Sequence, residues 1–174
     1  MSERVVLREA TRSDVVARQE LARHADIERM FGAAHPVSSP MTQAVAEAWI
    51  AGLGSEGSVE WVVEAEGAFL GVARLHSFDA GSARFAVGFF DPARLGKGYG
   101  AEVTRLVLDY AFGKLHLEEV TLAVLDFNER ARRCYQGCGF REVGRVADAA
   151  VIDGEPFDDI LMAVTALEER SERT

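Results

Sequence analysis

The run Phe89–Phe112 (FFDPARLGKGYGAEVTRLVLDYAF) goes from an apolar, strand-like pattern through Leu95-Gly96-Lys97-Gly98-Tyr99-Gly100 straight into an amphipathic helical pattern. The alternate glycines Gly96, Gly98 and Gly100 remove side chains that would keep a ligand off the backbone, and they open φ values closed to other residues. Amides can then converge. A helix that starts at the same point adds its unpaired N–H groups and the positive end of its dipole. The stretch therefore predicts an anion site of the phosphate type at a strand-to-helix turn. Val103, Leu106, Val107, Tyr110 and Ala111 recur at helical spacing, so one face of Gly100–Phe112 packs on a sheet.

Outward from this stretch the pattern is mixed α and β. Val5–Arg8 reads as a strand, and Thr11-Arg12-Ser13-Asp14 offers capping residues for a first helix. His24–Pro40 holds a short helical turn at Ile27–Phe31 among Gly32, Pro36 and Pro40, which reads as a mobile, ligand-facing loop. Thr42–Leu53 reads as a second helix with Val45, Ala48 and Trp49 on one face. Val59–Glu64 and Ala68–His76 form a hairpin around Glu66-Gly67, and Ala83–Phe90 is a third strand of that group. Glu119–Val124 is a buried-type strand and Asn128–Gln136 a helix. Arg141–Val151 and Phe157–Val164 close the chain as a strand pair around Asp153-Gly154, and Glu168–Thr174 reads as a charged, frayed tail.

Composition bounds the rest. The 174 residues, 48% hydrophobic, with no composition break and no internal repeat, predict one domain over 1–174. The N-terminus lacks the order of a signal peptide and no run approaches a membrane span, so a cytoplasmic protein without a membrane partner is expected. The formal charge of −9 argues against general nucleic-acid binding and leans slightly towards a cationic partner. Cys134 and Cys138, four apart on a helix, read as buried apolar residues and neither a disulfide nor a zinc site, and His24, His35 and His116 have no metal-ligand spacing. No metal is expected.

Two other phosphate loops fit worse. A Walker-type loop needs Ser or Thr after Gly-Lys, where Gly98 stands, and a dinucleotide fingerprint needs G-x-G-x-x-G where this chain has G-x-G-x-G. Taken with Tyr110-Ala111-Phe112, Val120-Thr121-Leu122-Ala123-Val124, Asn128, Tyr135, Gly139-Phe140 and Gly154–Met162, the glycine loop makes the chain resemble the GNAT superfamily of acetyl-CoA-dependent N-acetyltransferases. The ending resembles the branch of ribosomal-protein N-terminal and spermidine acetyltransferases. One departure is Leu95, where the family's loop usually opens with Gln or Arg. Arg94 stands one residue early. Because backbone amides carry most of the binding in such loops, the departure implies a modest loss of cofactor affinity.

The resemblance implies an α/β (α+β) fold with a central mixed, mostly antiparallel sheet of about seven strands and about four helices. It also implies that acetyl-CoA is the co-substrate, its diphosphate on the amides of Leu95, Gly96, Lys97, Gly98, Tyr99, Gly100 and Ala101. The pantetheine arm would add like an extra strand to Val87, Gly88 and Phe89. Gly88 reads equally as a bulge, a close approach or a plain packing glycine. Asn128 fits both the far side of the arm and a helix cap. Tyr135 matches the family's proton donor to the departing thiolate, with a core aromatic as the alternative. The general base is open among Asp26, Glu28, Glu64, His76, Asp159 and a water chain, since Ala83–Phe90 carries Arg84 and no acid. Trp49 and Trp61 read as core or pocket wall. The implied function is direct acetyl transfer to a primary amine, carried by a protein N-terminus, a polyamine or another small molecule, with a homodimer as the candidate assembly. The alternative is a non-catalytic acyl-CoA-binding regulatory module.

Overall fold

The structure is a computed structural model that describes residues 4–172. One seven-stranded sheet runs through it in the order β1-β2-β3-β4-β5-β7-β6. The strands are β1 (Val5–Arg8), β2 (Val59–Ala65), β3 (Ala68–Asp79), β4 (Ser82–Phe89), β5 (Glu119–Leu125), β6 (Arg141–Ile152) and β7 (Glu155–Thr165). Every neighbouring pair is antiparallel except β4 with β5. The β2–β3 turn uses Glu66 at φ 53° and Gly67 at φ 77°, and the β6–β7 turn uses Asp153 at φ 50° and Gly154 at φ 86°. Paired positive φ values match the twist of a two-residue hairpin.

Among the described residues there are six α-helices where about four were expected: α1 (Ser13–Glu20), α2 (Ala25–Met30), α3 (Gln43–Ala51), α4 (Tyr99–Gly113), α5 (Glu129–Gln136) and α6 (Ala166–Glu172). The short turn in His24–Pro40 is a complete, if brief, helix. At the C-terminus the frayed-tail expectation for Glu168–Thr174 fails over 168–172, which belong to α6, and Glu168 accepts the Thr165 amide and hydroxyl and pairs with Arg141 at 2.7 Å. Arg173 and Thr174 lie outside the described residues. None of the described helices is long and apolar enough to cross a membrane.

The helical stripe of α4 buries Val103, Val107 and Ala111 completely against Val63, Leu75, Phe85 and Val120 of the sheet. On α3 the inward residue is Ala46, while Val45 is 51% exposed, so the face expected from Val45 is rotated by one position. Thr42 caps this helix by accepting the Val45 amide at 3.3 Å. Gly71 is obligatory for packing, since a Cβ there would lie 1.9 Å from the Gly88 carbonyl oxygen on β4.

A polar cluster locks β1 to α1. Arg8 donates to both oxygens of Asp14 at 2.8 and 2.9 Å and to Glu64 at 2.9 Å, and the Thr11 amide donates to Asp14 at 2.7 Å. Asp14 is 2% exposed. The Arg8 hydrogen bonds hold its carboxyl below its ordinary value of 3.8, with the Thr11 amide adding to the effect against burial. The stabilisation is therefore complete above the ordinary carboxylate value and is lost as pH falls through the lower folded one. Asp14→Ala is expected to cost about 3 kcal/mol at neutral pH and to flatten the acid limb of stability. Urea midpoints measured at neutral pH and at successively lower pH check both.

Candidate active site

The feature that opens a site is the short reach of the β4–β5 ladder. Its register covers only Ser82↔Glu119, Ala83↔Val120 and Arg84↔Thr121. Beyond Arg84 and Thr121 the strands part, and a cleft of about 1070 Å³ lies between them, lined by Val87, Gly88 and Phe89 on one side and Ala123, Val124 and Leu125 on the other. Strand edges that part leave main-chain donors and acceptors open to an extended, amide-containing chain.

At one end of the cleft is the glycine loop. Gly96 has φ 74° and Gly98, the residue before α4, has φ 88°. Among the described residues the amides of Gly96, Lys97 and Gly98 find no acceptor, while Leu95 N donates to Pro92 O and both Ala101 N and Glu102 N donate to Gly98 O. Tyr99 and Gly100 open the helix, where the first N–H groups have no intrahelical partner. The free amides are thus those of 96–100, a narrower set than the 95–101 expected from the sequence. A Cβ on Gly96 would meet nothing within 4 Å, so the space before these amides is open. A Cβ on Gly100 would lie 3.2 Å from Cys134 Sγ, so that glycine lets α4 approach α5 closely.

The back of the loop is braced by a residue the sequence reading missed. Arg4 donates to the Lys97 carbonyl at 2.9 Å, pairs with Glu102 and lies 4.8 Å over the Tyr99 ring. Only a three-dimensional view brings residue 4 to residue 97. Tyr99 is buried and Lys97 exposed, and neither lines the cleft, so any contribution from them is through the main chain. Arg94 points elsewhere: it donates to the Ala65 carbonyl at 2.8 Å and lies over the Tyr99 ring. It does not stand in for the Gln or Arg that Leu95 replaces.

Asn128 lines the cleft and caps α5, its side-chain oxygen accepting the Ala131 amide at 3.3 Å. That leaves its NH2 group as a donor. Tyr135, also in the lining, packs edge-on against Phe85 at 6.2 Å and beside Phe140 at 5.8 Å. Its hydroxyl has no hydrogen-bond partner among the described residues. Burial, with the Cys134 and Cys138 thiols adding, pushes the phenol well above its ordinary value, so it holds its proton across the neutral range. Arg130 and Arg133 of α5 add cationic lining that the sequence reading did not single out.

A family model described as an acetyltransferase (GNAT) domain matches residues 4–141. The chain belongs to the GNAT family. Among curated proteins it is 26% identical over 109 residues to one named ribosomal N-acetyltransferase YdaF from Bacillus subtilis (strain 168), covering 62% of this chain and 60% of that protein. It is 34% identical over 77 residues to spermidine N(1)-acetyltransferase of Vibrio cholerae, covering 44% of each. The matched region thus spans 60% and 44% of these relatives, less than two thirds of either. In fold, the chain superposes on the crystal structure of spermidine N-acetyltransferase from Vibrio cholerae in complex with CoA and spermine, with a TM-score of 0.79 at 23% identity, covering 96% of this chain and 98% of that one. At that identity the likeness establishes the GNAT fold.

Among the acids and histidine considered for a general base, this GNAT cleft receives one. Asp159 lies in the lining, whereas Asp26, Glu28, Glu64 and His76 do not. Glu28 pairs with Arg23 and accepts the Val37 amide at 3.0 Å, Glu64 is held by Arg8, and His76 Nδ1 lies 2.9 Å from the Ser77 hydroxyl. Burial, followed by the neighbouring Arg74 and Arg84 charges, lowers the His76 value. Glu60, which the sequence reading left out, also lines the cleft, but its carboxylate accepts the Gly54 amide at 2.8 Å and the Ser58 hydroxyl at 3.3 Å. Of the cysteines, Cys138 is buried and Cys134 half-buried in the lining, which corrects the expectation that both are buried. Trp49 is pocket wall and Trp61 packs at 5.1 Å from Tyr110 in the core. Among the described residues no group of three His, Cys, Asp or Glu could hold a metal ion.

Proposed function

We propose that the chain is an acetyl-CoA-dependent N-acetyltransferase, acting as one catalytic domain over 1–174 and transferring the acetyl group directly to a primary amine. The observation that carries this is a single cleft that joins free loop amides at one end, parted strands in the middle and a protonated, unpartnered phenol beside them. The residues fit the co-substrate. The open amides of 96–100 suit a diphosphate, to which fixed N–H donors at a helix start are attractive. Val87, Gly88 and Phe89 offer main-chain groups to an extended arm, and the Asn128 NH2 group offers a donor across the gap.

Bound acetyl-CoA supplies the reactive thioester carbonyl. Tyr135 donates the proton that lets the sulfur leave as a thiol, a proton that burial keeps on the phenol at neutral pH until the thiolate forms. The absent acid on β4 does not remove the case for catalysis, because Asp159 reaches the same cleft from β7. Cys134 and Cys138 form no disulfide among the described residues, which suits the reducing cytoplasm.

Thiol release measured with acetyl-CoA and a panel of primary amines is expected to depend on both substrates and to rise with at least one amine. Calorimetric binding of coenzyme A with no thiol release for any amine would favour the non-catalytic module instead.

A further inference from the structure

The acceptor end of the cleft has a chemistry of its own. Direct cross-strand pairs put Glu60, Arg74 and Ala86 on one sheet face, with Val62, Val72 and Gly88 beside them. Leu125 pairs with Asp159, and its strand alternation through Ala123 to Thr121, opposite Arg84, places Asp159 on that same face. This is the face turned away from α4, and α2 and α3 cover it. Phe31 of the α2 end sits so close that its ring would be 2.8 Å from a Cβ on Gly88. Phe31 and Trp49 meet Phe90 edge-on at 6.2 and 5.7 Å, and Ile27, Met30 and Leu53 extend the apolar wall. The β6–β7 tip holds this cover down, the Asp153 amide donating to the Ala34 carbonyl at 2.8 Å.

Among the described residues the charges in the cleft lining are two carboxylates, Glu60 and Asp159, against three arginines, Arg74, Arg130 and Arg133. Glu60 is committed to Gly54 and Ser58, with Arg74 4.0 Å away. Asp159 has no hydrogen bond or ion pair among the described residues. Its neighbour Asp158 faces the other way and is fixed by the Asp148 amide at 2.9 Å and by Arg145. Asp126, whose charge also acts on Asp159, is paired with Arg145 at 2.9 Å and does not line the cleft, so one free carboxylate of the lining can meet one ammonium group, and the Phe31, Trp49 and Leu53 wall beyond it is apolar.

We propose that the acceptor is a monoamine carried on an apolar, aromatic-sized body, its ammonium received by Asp159 and its body by the Phe31–Trp49–Leu53 wall, and not a polyamine. This rests on the N-acetyltransferase reading. A second or third ammonium would enter an apolar wall or meet Arg74, losing hydration without a counter-charge. A single aromatic or alkyl group gains by leaving water. At Asp159 the ammonium proton passes to the carboxylate and leaves a neutral amine. Burial, with the neighbouring Asp126 charge adding, raises the Asp159 value against the pull of Arg84, which makes the carboxylate a better proton acceptor.

The test is calorimetric binding of 2-phenylethylamine and of spermidine to the protein saturated with coenzyme A, with thiol release measured in parallel. 2-Phenylethylamine is expected to bind at least about tenfold more tightly than spermidine. Asp159→Asn, near-isosteric with the native residue, is expected to weaken 2-phenylethylamine about tenfold or more while leaving the affinity for coenzyme A and the melting temperature unchanged. Spermidine binding equally or better, or neither amine binding, overturns the acceptor assignment, as does an unaltered affinity in Asp159→Asn. The expected binding order with no thiol release supports the acceptor site and sinks the catalytic reading.

Discussion

Tyr135→Phe is expected to lower kcat by about 10²- to 10⁴-fold, the range of a positioned general acid, with the dissociation constant for coenzyme A nearly unchanged. The ring carries the packing, against Phe85 and Phe140, and those contacts survive in phenylalanine. The hydroxyl has no partner among the described residues, so its removal orphans nothing. What disappears is a proton that burial keeps on the phenol at neutral pH. Steady-state kinetics beside calorimetry separate the roles: equal loss of turnover and of coenzyme A affinity would make Tyr135 a structural aromatic only.

Gly98→Val is expected to raise the dissociation constant for coenzyme A by about 100-fold or more, equivalent to about 3 kcal/mol. At φ 88° a β-branched residue is strained, so the loop has to shift, and the amides of 96–100 lose their common direction. The nearest atom to a Cβ there is the flexible Arg4 guanidinium at 3.2 Å, so the damage comes from the backbone more than from a clash. Gly57→Val supplies the control. It stands at φ 81° with nothing within 4 Å and takes no part in the cleft. It is expected to lose similar stability yet bind coenzyme A as the native protein does. Equal affinities in all three proteins would remove the loop from the binding site.

The strands and the main helices were legible because their signals are local. Alternation, the Glu66-Gly67 and Asp153-Gly154 turns and the stripe of α4 each lie within a dozen or so residues. The rotated face of α3 was not, because Val45 and Ala46 differ in hydrophobicity in the wrong sense, and only the packed sheet shows that a small residue is needed inside. The C-terminal helix escaped because its support comes from Arg141, 27 positions before Glu168. In the site, the glycine loop could be read from spacing, whereas Asn128 and Tyr135 were marked only by the resemblance to the GNAT family, and the fold brings all three to one cleft. Arg4 could not, since its contacts are with residues 97 and 102. Asp159 was one of several acids in the sequence, and what singles it out is strand register: it pairs with Leu125 just where β4 and β5 have parted.

The claim on which the rest stands is that the bare amides of 96–100 take the diphosphate of the acyl carrier. An NMR titration of the backbone amides with coenzyme A, and with pantetheine as the analogue lacking the diphosphate, tests it most directly. The Gly96, Lys97 and Gly98 resonances are expected to shift saturably with coenzyme A and to stay in place with pantetheine, while those of Val87–Phe89 respond to both. Saturable coenzyme A binding that leaves the three loop amides unmoved would contradict the account.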